Sequence, residues 1–337
     1  MAQGKDLISE RQNIYYKNED NIFSDGLEMS ILRKISQIMD AIWGFDLGGT
    51  KIEGIILNKE DHKVVTRLRI PTEGHLGYDH VLDQLCTLIE NMKSHRNLSP
   101  ISAGIGTPGT LDPILNVMKN CNSTSLNGKN MKADLEKRTG IKFNFSNDAN
   151  CFAVAEAKMG VIPKLMPEAK VIFGVIMGTG VGGGLVVDGR VVGGRQGIGG
   201  EWGHNFLDES GGACYCGKVG CVETVISGPA LEKYYHKISG QPLNLKEITE
   251  RYRAGNDIYA TETMERLFAY FGKAISVVIN IIDPDAIVIG GGVGNIAEIY
   301  TKGVEEVKKH VFNHRLDTQF FKPDLGDSAG VFGAAFL

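Results

Sequence analysis

The 337-residue chain carries 36 basic and 40 acidic side chains, a formal net charge of −4, and 42% apolar residues. That length accommodates two domains with a substantial core, and the slightly acidic balance excludes a nucleic-acid-binding surface as its main business. No apolar run approaches the ~18 residues of a membrane span; the longest, "AISVVINII" at 274–282, is half of that. The N-terminus lacks the apolar stretch of a signal peptide. The chain therefore reads as cytoplasmic, a setting where clustered cysteines point to metal or catalysis rather than to disulfides.

Residues 1–40 form a polar extension with one short amphipathic stretch at 27–39, to which no function is attached. From Ala41 the elements are clear. Alternating apolar runs predict strands over 41–47 and 51–58, joined by "GGT", and a third over 63–70. Helical spacing follows at 78–95, then a strand at 101–106 and a turn at "TPG". A helix over 131–140 ends on Gly140, as a C-cap should. The strand at 142–146 leads into "NDAN", where Asn147 or Asp148 is placed to cap the next helix. The second half restarts the same way: residues 42–58 align with 172–188 at a constant offset. A long helix at about 258–282 then runs into a strand at 286–292. This internal repeat predicts a duplicated α/β fold with a cleft between its halves.

Glycines are concentrated where strands end, in "GGTK" (48–51), "GTGVGGG" (178–184) and "GGG" (290–292). Without a Cβ, such loops let backbone N–H groups approach phosphate oxygens. Two pattern matches fail on context. "GTGVGG" is followed by another strand rather than the helix that a dinucleotide fingerprint needs. "GACYCGK" resembles a phosphate-binding loop, but Val219 stands where Ser or Thr is required. Asp46 lies beside the first loop, and its counterpart in the repeat is the apolar Ile176. A carboxylate so placed suits Mg2+, held directly or through water.

Three of the six cysteines, Cys214, Cys216 and Cys221, fall within "CYCGKVGC"; Cys86, Cys121 and Cys151 are scattered and read as core thiols. A Cys-x-Cys disulfide would close a small strained ring. Zinc takes four ligands, and the nearest fourth is His204 in "GEWGHN". Cys3His fills a tetrahedron and leaves no position for a reactive water, which makes the ion structural. It would stiffen a loop that carries Glu201 and Glu223 on either side.

With these residues in view, the chain from about Ile42 onward resembles the ROK family of sugar kinases, within the duplicated actin/hexokinase-like (ribonuclease H-like) two-domain ATPase fold. The carrying motifs are "FDLGGTK", "GIGTPG", "NDAN", "GTGVGGG", "GEWGHN", "CYCGKVGCVE", "DPDAIVIGGG" and "GDSAGVFGAAFL". Within that family "NSTSLNG" (122–128), "GEWGHN" and "CYCGKVGCVETVISG" are most similar to the bacterial fructokinases. The resemblance implies a small domain of 41–143 plus a C-terminal helix at about 324–337, and a large domain of 144–323 bearing the zinc loop. It implies ATP-dependent phosphorylation of a free hexose, fructose first, with glucose or an N-acetylhexosamine as the alternative. Asp148 would be the general base. Thr107, Pro108, Gly109, Asn122, Ser123, Asn147, Glu201, His204 and Glu223 would meet the sugar, His204 using its second ring nitrogen. The nucleotide would be held by Asp46, Gly48, Gly49, Thr50, Lys51, Gly178, Thr179, Gly180 and Gly182, and by Gly290, Gly291 and Gly292. The implied partners are hexose and Mg-ATP, with a second copy of the chain in a homodimer and neither nucleic acid nor membrane. Relatives of this kind that act as sugar-sensing repressors carry a winged helix, for which the 40-residue extension is too short and lacks a two-helix pattern.

Overall fold

The computed structural model describes residues 40–337; the amphipathic stretch at 27–39 lies outside the described residues. The first half contains β1 (Ala41–Leu47), β2 (Lys51–Asn58), β3 (Val64–Pro71), β4 (Ser102–Thr107), a short hairpin of β5 (Thr110–Leu111) and β6 (Met118–Lys119), and β7 (Lys142–Asn147). Its main sheet has the order β3-β2-β1-β4-β7, antiparallel on the β2 side of β1 and parallel on the β4 side. The second half contains β8 (Val171–Met177), β9 (Val181–Val187), β10 (Arg190–Val191), β11 (Ala286–Gly290) and β12 (Gln319–Phe321). They run in the order β10-β9-β8-β11-β12, with the same change from antiparallel to parallel pairing. The expected duplication is therefore a duplication of topology.

The constant offset between the repeats holds for β1 and β8 but slips by one residue after the turn. In the first hairpin Leu47 pairs with Ile52; in the second Met177 pairs with Val181, so that loop is one residue shorter. A gapless alignment hides such a change, because glycines fall opposite glycines in either register.

Two helices lie between the sheets. Asp148–Lys158 packs on β8 and β9, and Ala329–Ala335 packs on β1 and β4 and against the first helix. Glycines make this approach possible. A Cβ on Gly104 would sit 1.7 Å from the carbonyl oxygen of Ala334, and one on Gly44 would sit 2.4 Å from the nitrogen of Ala335. On the outer face of the first sheet, helix Tyr78–Arg96 buries Leu82, Leu85, Leu88, Ile89 and Met92. On the outer face of the second, helix Ile258–Ile282 buries Met264, Leu267, Phe268, Phe271 and Ile275. That helix spans the range its sequence predicts. Asp257 caps its start by accepting from the N–H groups of Tyr259 and Ala260, and Asp283 ends it in the left-handed region. Cys121 and Cys151 are buried and Cys86 is half-buried, as expected of core thiols. No helix among the described residues is long and apolar enough to cross a membrane.

Candidate active site and metal centre

Parallel strands deliver their loops to one edge of a sheet, and the crevice beyond their carboxyl ends is where such folds place ligands. β4 and β7 end side by side at Thr107 and Asn147. A cavity of about 240 Å3 opens there. Pro108, Gly109 and Asn122 line it from the first half, and Asn147 and Asp148 form its base. Gly178, Thr179, Gly180 and Gly182 enter from the β8–β9 hairpin, and Glu201, His204 and Glu223 from the loop that carries the cysteines.

At "NDAN" the structure decides between the two capping candidates. Asn147 is the cap: its Oδ1 accepts from the N–H of Asn150 at 2.9 Å. Its Nδ2 donates to Glu201 Oε1 at 3.2 Å, which joins the β7 terminus to the cysteine-bearing loop. Asp148 is thereby left free for chemistry. One of its oxygens accepts from the N–H of Ala149 at 2.8 Å. Surrounding protein raises its carboxyl above the usual carboxylate range, although the side chain is open to the cleft. Glu201 is raised too, first by burial, with the Asp148 and Glu223 charges adding and His204 opposing. Glu223 accepts from the N–H of Val181 at 3.0 Å, which fixes its carboxylate at the tip of the second hairpin. Gly180 is required for that contact, since a Cβ there would lie 2.7 Å from Glu223 Oε2.

His204 ends a short 3-10 helix, Trp202–His204, whose indole donates to the carbonyl of Gly182 at 2.9 Å. Ligand atoms of His204, Cys214, Cys216 and Cys221 all lie within 4.8 Å of one another. His204 Nδ1 is 3.6 Å from Cys214 Sγ, and Cys216 Sγ is 3.6 Å from Cys221 Sγ. A tetrahedral ion with 2.3 Å bonds to sulfur spaces its ligands by about 3.8 Å. The four groups fit such an ion in both chemistry and spacing. With Nδ1 turned to the cysteines, Nε2 faces the cavity, where it meets the hydroxyl of Tyr215 at 2.9 Å.

The remaining sequence-predicted residues are placed differently. Thr107 is buried behind the cavity wall, its hydroxyl donating to the carbonyl oxygens of Gly109 and Ser146 at 2.8 and 3.2 Å. It braces the turn and does not line the cavity. Ser123 also lies off the lining and starts a 3-10 turn, Thr124–Leu126. Gly48, Gly49, Thr50 and Lys51 form the β1–β2 turn, closed by Gly48 N–H donating to the Lys51 carbonyl at 3.0 Å. Gly290 ends β11 and Gly291 and Gly292 follow it in a short helical turn, not in the strand expected to run to 292; Gly292 N lies 3.8 Å from where a Cβ of Gly178 would stand, so these two glycine segments flank each other. Asp46 is half-buried over Gly330 and Gly106: a Cβ on Gly330 would collide with its carboxylate at 2.8 Å, and one on Gly106 would crowd it at 3.2 Å. Burial, then Asp148 and Glu53, push it up to about 6 against the opposing Lys51. A divalent cation would offset that surplus of negative charge, so the residues fit Mg2+.

The sequence reading missed Thr110, Asn120 and Tyr215, all of which line the cavity. Burial and the charges of Glu223 and Glu201 push the Tyr215 phenol up to about 12, so it stays protonated and able to donate.

The family model described as the ROK family matches residues 42–337. The chain belongs to the ROK family of sugar kinases. An N-acetyl-D-glucosamine kinase of Pectobacterium atrosepticum is 34% identical over 305 residues, covering 88% of this chain and 98% of that protein. A ROK hexokinase from Thermus thermophilus superposes with a TM-score of 0.77 at 29% identity, over 88% of this chain and 97% of the other. A ROK glucokinase from Streptomyces griseus, solved with glucose and AMPPNP, shares the fold with a TM-score of 0.68 at 23% identity over 88% and 98%. The expected two-domain hexokinase-like fold is thus the fold of this ROK protein.

Proposed function

We propose that this ROK kinase transfers the γ-phosphoryl group of ATP to the primary hydroxyl of a free hexose, with Asp148 as general base. The observation that carries the reading is the position of Asp148. It sits at the first turn of its helix, uncommitted to capping, in a cavity whose polar groups include Asn147, Glu201, His204 and Glu223. Those groups donate and accept in all directions, which suits a neutral polyol. Their carboxylates also disfavour an anion, which hastens departure of the phosphorylated product. Asp148 takes the hydroxyl proton as the sugar oxygen bonds to phosphorus, the bond from phosphorus to the bridging oxygen breaks, and ADP leaves with that electron pair. Mg2+, when bound, supplies charge neutralisation on the phosphates, and Asp46 is the residue to hold it. The glycine turns at 48–51, 178–182 and 290–292 would take the nucleotide, through backbone N–H groups other than those of Gly48 and Gly178, which close their own turns.

Zinc is proposed for the Cys3His set. Held by His204 Nδ1, Cys214, Cys216 and Cys221, it would leave the imidazole proton on Nε2, and His204 would then donate to a sugar hydroxyl in place of Tyr215.

N-acetyl-D-glucosamine is the first candidate sugar, supported by relatives of that name matching 88% of the chain. Fructose is the second, supported by the "NSTSLNG" segment, whose Asn122 reaches the cavity. An ADP-release assay with N-acetyl-D-glucosamine, fructose, mannose and glucose tests both. The highest kcat/KM on N-acetyl-D-glucosamine sustains the first, and the highest on fructose replaces it with the second. No turnover on any of them removes the kinase reading.

A further inference from the structure

Among the described residues the chain passes between the two sheets twice. It leaves the first at β7 and reaches β8 through helix Asp148–Lys158. It returns after β12 through residues 322–328 to helix Ala329–Ala335, which lies on β1 and β4. One side chain ties these crossings together. Glu156, two turns along the helix that Asp148 begins, is fully buried. Its carboxylate accepts from the N–H groups of Val161 at 3.0 Å, Asp324 at 3.1 Å to each oxygen, and Leu325 at 3.0 Å. No lysine or arginine is paired with it among the described residues; backbone N–H groups carry the compensation. The backbone is cut to fit, since a Cβ on Gly160 would lie 2.0 Å from Glu156 Oε2.

A buried carboxylate is a demanding way to hold two segments if packing alone would serve. Its geometry has a use in a kinase whose base stands on one crossing while the second crossing carries a helix seated on the other half. Closing the cleft requires both crossings to bend. If they bend independently, Asp148 moves relative to the nucleotide loop of β1–β2, and misplacement by about 1 Å costs on the order of 10²-fold in rate. We propose that Glu156 is a positioning residue of catalysis: it pins the second crossing to the helix of Asp148, so that the halves close with the base held at a fixed place. The inference rests on Asp148 being the base.

The test compares wild type with Glu156→Gln, whose amide would turn donors toward backbone donors. Gly160→Ala is the second variant; it displaces the carboxylate while keeping its charge. Each is assayed well below its melting temperature. Readouts are kcat, sugar affinity from Trp202 fluorescence, and compaction by small-angle scattering with sugar plus a non-hydrolysable ATP analogue. The expected result is a kcat at least tenfold lower, sugar affinity within threefold of wild type, and lost compaction in whichever variant folds. Normal kcat and compaction in a folded variant overturn the proposal. So do kcat and affinity falling together in proportion to unfolded protein. The scattering arm separates this claim from the kinase reading. A wild type without turnover that still compacts, beside a variant that does not, retires Asp148 as base and keeps Glu156 as the pin. A wild type that does neither retires both.

Discussion

At the residue scale the site is built by side chains that each serve two partners. Asn147 caps a helix with its oxygen and holds Glu201 with its nitrogen. His204 turns one nitrogen to the thiols and the other to the cavity. Removing the proposed zinc should therefore act on sugar binding as well as on stability. Metal-stripped protein is expected to melt at a lower temperature and to bind sugar at least tenfold more weakly, with zinc restoring both. Scanning calorimetry and Trp202 fluorescence measure this, and an apo form that is fully stable and binds sugar normally would sink the structural-zinc reading. The Cys3His cluster was legible because its members are local: three cysteines in eight positions and a histidine ten residues before them. Tyr215 was not legible, although it stands between two of those cysteines, because its partner is chosen by the direction of a side chain. Thr107 was misplaced for the same reason; a motif gives a neighbourhood, while the pleat decides which side chain faces it.

At the scale of elements, glycines matter more for helix seating than their proximity to phosphate loops suggests. Gly104 and Gly49 make the contrast testable. A Cβ on Gly104 would overlap the Ala334 carbonyl, whereas one on Gly49 would meet nothing within 4 Å. Overpacking costs about 1–3 kcal/mol when side chains can yield, and backbone yields less. Gly104→Ala is expected to lose at least that much or fail to fold, while Gly49→Ala stays within about 0.5 kcal/mol of wild type. Urea titration of both decides it, and equal stabilities would contradict this account of the interior. Strand and helix positions were readable here because alternation, helical spacing and Gly140 mark them locally. The shorter second turn was not, since either register sets glycine against glycine. Glu156 lay further out of reach: two of its three partners are 168 and 169 residues away, and all are backbone groups with no sequence signature.

At the scale of the whole molecule, two copies of one topology face each other across a cleft that gathers carboxylates from both. Asp46 comes from the first sheet, Asp148 from the crossing, and Glu201 and Glu223 from either side of the cysteine cluster. Burial holds protons on Asp46, Asp148 and Glu201 to higher pH than usual, and neighbouring carboxylates add to this at Asp46 and Glu201. For Asp148 the sign is clear: the base works only when ionised, so a raised carboxyl moves the acid limb of kcat/KM upward in pH, and activity rises as pH climbs through it. Asp148→Asn decides whether Asp148 is the base, with turnover followed by ADP release and sugar binding followed independently by Trp202 fluorescence. The account predicts binding within a few-fold of wild type and kcat lower by about 10²- to 10⁴-fold, the range of a lost general base, while wild type shows its acid limb above the ordinary carboxylate range. A variant that keeps wild-type turnover and the same acid limb would contradict it.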